Sequence, residues 1–443
     1  MIMRNPLVAV LIVAVASLSS CTDRKSSVGW AAQVPADTTR YVAVDPMPAP
    51  TQPAADIQEA GPTASKPTPA EPKPYVSKVT EPVTITLWHA YRAAERKALK
   101  AAVDRFHTLG SPITITLRIV PFDAFNDKIK VVVPEGRGPD LFIFAHDLVG
   151  AWSEMGFLEP LNQWTEEQDT EPFLPTTVQA LVYRNALYGL PMAFKCVALY
   201  YNKALVKVPP TDMESLLAVA KANTDGKEKY GLVYEAANTY FHAPWVHGFG
   251  GEILGEGDVP AADSVASIAA LSFARTLVRD HKVTPANVTT AMVSGYFNDS
   301  NAAMVINGPW MRGEIEGIDY GVVPLPPVAA GKPTKPFLGV EAVFMNKRGS
   351  QKQAAWEVMR FLVSDEAATI RFEQGQQPVA NKALWNGTVE PTMAAFRQQA
   401  ENTVVMSSSP RFQQVWTPYN GALLSVIAGD AKPAEALRQA QTK

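Results

Sequence analysis

The stretch from Val83 to Asp147 switches repeatedly between two hydrophobic periods, and this constrains the fold more than any other feature. Val83-Thr84-Ile85-Thr86-Leu87-Trp88 alternates as a strand does. From Ala94 to Phe106 the apolar positions Ala98, Leu99, Ala102, Val103 and Phe106 follow the spacing of one helix face. Ile113 to Val120 predicts a second strand and Ala124 to Val133 a second helix. Gly138-Pro139-Asp140-Leu141-Phe142-Ile143-Phe144 predicts a third, buried strand, ending at Ala145-His146-Asp147. Strands joined by helices of this length pair in parallel with the helices laid over their faces. The folded part is therefore expected to be α/β, with mostly parallel sheets, and Phe144 and Asp147 stand just past a strand end.

What precedes Val83 is different material. Arg4 leads into the apolar run Leu7 to Ala16, which is too short to span a bilayer and has the length of a signal core. Leu18-Ser19-Ser20-Cys21 then resembles a bacterial lipobox. The reading is a lipoprotein signal peptide over residues 1–20, acylation of Cys21, and a place in the cell envelope on the outer side of a membrane. From residue 22 to 82, prolines such as Pro46, Pro48, Pro50, Pro53, Pro67, Pro69, Pro72 and Pro74 recur among Ala, Thr and Ser, with no apolar period. This composition predicts a disordered tether with a coil reach of about 40 Å.

Composition excludes several classes. The formal net charge of -3, with 19% charged residues, offers no basic face for nucleic acid. Of the two cysteines, Cys21 is assigned to the lipid, leaving Cys196 as a free structural thiol. No histidine spacing makes a convincing metal site; His242 and His247, five apart, are the nearest approach. There is no nucleophile elbow, Gly-rich phosphate loop or HExxH. Neither an enzyme nor a cofactor is expected.

Further along, Leu187 to Asn202 is extended, with little room for a crossover helix. Helical spacing covers Asp212 to Ala222, Gly231 to Glu235 reads as a strand, and Thr239 to Trp245 is a loop-like aromatic segment. Ser264 to Val283 predicts one long amphipathic helix. Ala302 to Ile306 predicts a buried strand, followed by Asn307-Gly308-Pro309, where Asn and Gly tolerate positive φ and Pro presets a helix start. Trp310 follows at once, either capping a core or facing a crevice of the kind that lies beyond strand ends. Pro333 to Phe344 is extended. Gln351 to Val363, Asp365 to Phe372, Ser409 to Ala428 (with Phe412, Trp416 and Tyr419) and Pro433 to Gln441 predict helices.

Several of these segments are similar, in order and spacing, to the maltose-binding family of extracellular solute-binding proteins that serve ABC sugar importers. They are Gly138-Pro139-Asp140 through Asp147, Asn202-Lys203 after Tyr200-Tyr201, Ala303-Met304 through Asn307-Gly308-Pro309-Trp310, and Lys335 to Val340. The likeness runs from Val83 to Lys443. It implies a hinged, two-lobed periplasmic-binding-protein fold of type II. The first lobe would take residues 83–193 and 343–388, the second 197–338 and 392–443, and the hinge 194–196, 339–342 and 389–391.

The resemblance further implies an oligosaccharide bound between the lobes of a monomer and delivered to permease subunits. Its aromatic platform falls on Phe144, Tyr240, Trp310 and Trp416, with Asp147 among the polar contacts. Acidic family positions are replaced by Lys195, Asn238 and Asn126, while Arg92 and Glu95 in the first loop are candidates. Aromatic rings bury the apolar faces of a sugar, and polar groups fix its hydroxyls. The first half of such a site is kept and the second altered. Lys195 suits either a different hydroxyl pattern or an acidic sugar. A sensor subunit for a receptor, or a surface glycosidase using paired carboxylates, are the alternative functions.

Overall fold

A computed structural model describes residues 76–442. The predicted signal peptide, Cys21 and most of the proline-rich stretch lie outside the described residues. The strands are β1 (Val83–His89), β2 (Ile113–Ile119), β3 (Leu141–Ala145), the small hairpin β4 (Val182–Tyr183) and β5 (Ala186–Leu187), β6 (Gly189–Lys195), β7 (Ala198–Asn202), β8 (Tyr230–Val233), β9 (Ala302–Asn307), β10 (Tyr320–Val323), β11 (Phe337–Met345) and β12 (Val404–Val405). They form a six-stranded sheet, β12-β11-β3-β1-β2 with β6 also on β11, and a four-stranded sheet, β10-β7-β9-β8.

The β-α-β run behaves as its periodicity requires: β1 pairs in parallel with β2, Val83 opposite Ile113, and with β3, Leu87 opposite Leu141. Helix Ala93–His107 connects the first pair and buries the apolar stripe read from the sequence, Ala98, Leu99, Ala102, Val103 and Phe106. The first sheet is parallel at three of its five pairings, β1–β2, β1–β3 and β11–β12, whereas the second is mostly antiparallel. β11 runs antiparallel to β3 and β6, and β7 antiparallel to β9 and β10, leaving β8 with β9 as the one parallel pair of the second sheet. Local period reveals a strand but not the direction in which it re-enters a sheet.

Each sheet has its own core. Phe106, Phe125, Phe142, Trp152 and Phe344 pack about the first. Leu232, Trp245, Leu271, Ile306 and Leu423 pack on one face of the second, and Tyr200, Phe297, Met311 and Phe396 on the other. The chain crosses between the sheets at Cys196-Val197, which separate β6 from β7, and again along β11. There Phe337 and Leu338 belong to the second sheet's cores and Val340 to Met345 to the first.

Local readings need correcting at several points. Thr239 to Trp245 is not a loop: it lies in helix Thr239–Gly248, which accommodates Pro244 within its turns. The long helix expected over Ser264 to Val283 runs as Val265–Arg275 and then widens into a π-helical turn, Thr276–Asp280. The aromatic-led helix begins at Phe412, not Ser409. Asp147, just past the end of β3 as expected, lies inside a short 3-10 turn, His146–Leu148. Finally, the tether does not extend to residue 82. Ser77 Oγ and the Lys78 amide both donate to Glu357, at 2.7 and 2.9 Å, and Val79 packs on the first core.

Candidate functional site

The apolar strand β11 carries one carboxylate, Glu341. Its pairing with β6 slips between Glu341 and Ala342, opposite Pro191 to Ala193. Proline has no amide proton to give the ladder, and such a bulge re-aims neighbouring side chains. Lys195, the last residue of β6, sits opposite Gly339. Its Nζ lies 2.8 Å from Glu95 Oε1 and 2.9 Å from Glu341 Oε1, all three side chains being 10–14% exposed. Glu95 comes from the first turn of helix Ala93–His107. The same ammonium stands 5.4 Å from the ring of Tyr91 and 5.7 Å from that of Trp310.

Burial alone would depress the Lys195 pKa, but Glu341 and Glu95 outweigh it and the pKa is raised. Burial also raises Glu341 against the pull of Lys195, and raises the Tyr91 phenol. Lys195 is thus a fixed cation answered by two carboxylates. It has no charge to spare for an acidic sugar. Tyr91 Oη and Glu341 Oε2 remain buried without a hydrogen bond of good geometry among the described residues. Tyr91 lies close enough to Glu341 and to Gln377 to interact with both.

Three of the four aromatics predicted for the platform gather beside this cluster. The Trp310 ring lies 6.2 Å from Tyr240; Tyr240 stacks on Phe337 at 6.4 Å; Phe337 lies 6.1 Å from Trp416, which meets Phe412 at 5.1 Å. Trp310, Tyr240 and Trp416 are all only partly buried. The turn that carries Trp310 works differently from its sequence reading. Gly308 has an ordinary φ of -93°, and Pro309 begins a 3-10 helix, Pro309–Glu314. Glycine is needed because the indole folds back onto it: a Cβ there would lie 2.1 Å from Trp310 Cζ3. Tyr200 fixes the turn from below by donating to the Gly308 carbonyl at 2.7 Å.

The fourth aromatic, Phe144, is placed elsewhere. It is 5% exposed within the first core, stacked against Phe122 and Phe125 at 4.7 and 4.6 Å. The polar candidates mostly serve as supports. Asn238 caps helix Thr239–Gly248 by accepting from the Tyr240 amide at 2.9 Å, which holds Tyr240 in position. Asn126 accepts from the Trp152 indole at 3.0 Å. Asp147 is held by Gln413, 2.8 Å away on the helix that also carries Trp416. Arg92 is exposed and pairs with Glu314 at 3.5 Å, linking the first helix to the Trp310 turn.

Between the sheets His146 acts as a neutral staple. Its Nδ1 accepts from the Val340 amide at 3.0 Å and its Nε2 lies 2.9 Å from the Met406 carbonyl. Burial holds its pKa below the usual value, which keeps this tautomer uncharged. Cys196 is a free, buried thiol whose pKa burial raises. A surface cavity of about 520 Å³ lined by Ser272, Arg275, Lys432 and Glu435 lies apart from all these residues and has no aromatic wall. Sequence reasoning missed Tyr91, Glu341 and Gln413. Glu341 had a signal, a lone carboxylate inside Phe337 to Met345; Tyr91 and Gln413 had none.

The sequence profile of the bacterial extracellular solute-binding proteins matches residues 90–369. The chain is 28% identical over 362 residues to a maltotriose-binding protein of Pyrococcus abyssi, covering 79% of each. It is 27% identical over 337 residues to a galactooligosaccharide-binding protein of Bacillus subtilis, covering 72% of this chain and 79% of that one. Among solved structures, the Thermus thermophilus maltotriose-binding protein bound with maltotriose superposes with a TM-score of 0.74. That match has 27% identity and covers 81% of this chain and 98% of the other. These neighbours share the two-lobed fold of type II.

Proposed function

Because the chain belongs to the bacterial extracellular solute-binding proteins, we propose that it captures a neutral oligosaccharide between its two lobes and delivers it to an ABC permease. The observation that carries this reading is the aromatic row Trp310, Tyr240, Phe337 and Trp416 set against the buried Glu95–Lys195–Glu341 cluster. The row offers apolar faces to sugar rings. The carboxylates are hydrogen-bond acceptors for hydroxyls, and the Lys195 ammonium offsets one of their two negative charges. Malto- and galacto-oligosaccharides are the classes favoured by the relatives. The sugar-reading residues are Trp310, Tyr240, Trp416, Glu95 and Lys195, with Asp147, Asn238 and Asn126 as supports. Arg92 closes one edge.

In this reading lobes of residues 83–193 with 343–388, and 197–338 with 392–443, move about a hinge at 194–196, 339–342 and 389–391. Capture needs the closed arrangement to bind sugar better than the open one. Acylated Cys21 and the proline-rich segment would keep the protein at the membrane where the permease lies. The role is binding without chemistry.

The test is calorimetry on the chain from Thr22 onward against maltose, maltotriose, maltotetraose, a galacto-oligosaccharide and a glucuronic-acid oligomer. Saturable binding of a neutral member is expected, with a change in Trp fluorescence and a rise in thermal midpoint. Ligand at 100 times its Kd adds about 2.7 kcal/mol to stability. Failure of every neutral sugar to bind, or preference for the acidic one, refutes the proposal.

A further inference from the structure

We infer that Phe122, not Phe144, provides the stacking surface that the first lobe offers to the sugar. This rests on the oligosaccharide reading above. Phe144 has no face to give. The rings of Phe122 and Phe125 both lie near-parallel to it, at interplanar angles of 21°, and Trp152 approaches to 5.6 Å. Phe122 is the reverse case. It is 57% exposed, and it is the one aromatic among the exposed large apolar side chains of the described residues.

Its position is that of a ligand contact. Phe122 follows Ile119, the end of β2, by three residues and opens helix Phe122–Val132. It therefore stands at the carboxyl ends of the parallel strands β1, β2 and β3. Tyr91, past β1, and Asp147, past β3, stand on the same rim. In open α/β sheets this rim is where ligands are received.

The ring is also held ready. Pro121 precedes it with φ of -54° as the helix cap, which fixes the backbone from which the side chain leaves. Stacking on Phe144 at 4.7 Å holds the inner face and leaves the outer face to solvent. A ring held in this way loses little conformational entropy when a sugar covers it. Phe144 then acts as the backing of the platform, and the contact has moved one ring outward.

The experiment compares the chain from Thr22 onward with its Phe122→Ala, Phe122→Leu, Phe122→Trp and Trp310→Ala variants by calorimetry. The ligand is maltotetraose, or whichever neutral oligosaccharide of the panel the unmodified protein binds. Phe122→Ala and Phe122→Leu, the latter keeping apolar bulk without the ring, are expected to weaken binding about tenfold; Phe122→Trp is expected to retain or tighten it. Unliganded thermal midpoints should stay close to the parent value, since the side chain is exposed. If Phe122→Ala binds within twofold of the parent while Trp310→Ala loses binding, the inference fails and the oligosaccharide reading stands. Tighter binding by Phe122→Ala also overturns it, since Phe122 would then be covering Phe144 in competition with sugar. If the parent binds no oligosaccharide, both readings fall together.

Discussion

Replacing Lys195 by Met tests the electrostatic logic of the site. Met matches the length of the lysine stem but removes the ammonium that lies 2.8 and 2.9 Å from Glu95 and Glu341. Two carboxylates, each about nine-tenths buried, then face each other with no cation between them. Removing one partner of a buried ion pair costs about 3–5 kcal/mol, because the remaining charge is left desolvated. For a folded part spanning residues 76–442, unfolding entropy is about 0.8 kcal/mol per kelvin, so a loss of about 4 kcal/mol lowers the thermal midpoint by about 5 °C.

The pH dependence has a definite sign. Glu341 already has its pKa raised by burial even with Lys195 present, and removing the lysine raises it further. A carboxylate raised in the folded state binds more protons folded than unfolded, so it weakens the fold above its unfolded pKa and the deficit shrinks on acidification. The variant should therefore lie furthest below the parent at pH 8 and recover toward pH 5. Adding Glu341→Gln should restore about half the deficit at pH 8, a coupling that a double-mutant cycle reads directly. Calorimetric melting at both pH values is the assay. A midpoint within 1 °C of the parent at pH 8, or a deficit that grows as pH falls, refutes the reasoning.

Gly308→Ala should displace the Trp310 indole, since the new Cβ would lie 2.1 Å from it, and so weaken oligosaccharide binding at least tenfold with a shift in Trp emission. Unchanged calorimetric affinity would show that the ring's position is immaterial. Gly231→Ala places a Cβ 1.9 Å from the Ala220 carbonyl oxygen, backbone against backbone, and should cost about 3 kcal/mol or more in chemical denaturation. Burial holds His89 and His247 at about 4 and His242 at about 3, all below the unfolded value of 6.5. Below pH 6.5 the unfolded chain takes up protons that the folded chain refuses. Stability should therefore fall by up to about 1.4 kcal/mol per pH unit for each of these histidines until pH approaches 4. A denaturation midpoint that stays flat between pH 6.5 and 4.5 would contradict this.

Sequence and structure agree where a signal is local and periodic, and part where a role depends on a distant partner. The stripe Ala98 to Phe106 and the alternation at Val83 to Trp88 need only their own neighbours, so both elements form as read. Strand direction depends on where the chain returns, so the extended segments that became β7 and β11 were legible as strands while their antiparallel pairing was not. The site divides in the same way. Trp310 follows β9, Tyr240 lies in the first turn of helix Thr239–Gly248 and Trp416 lies in helix Phe412–Ala428; they come together because Tyr240 meets Trp310 and both Tyr240 and Trp416 meet Phe337 of β11. Lys195 instead takes its character from Glu95, 100 residues earlier in the chain, and from Glu341, 146 residues later. No spacing rule encodes such a pairing. Gly308 shows the same dependence on a neighbour at short range. Read alone, it suggested a positive-φ turn; folded, its backbone is ordinary and its missing side chain is what gives Trp310 a bed. The same residue type serves either purpose, and only the position of the indole two residues on decides between them. It follows that the turn and the tryptophan act as one unit, so substituting either should impair the same binding surface.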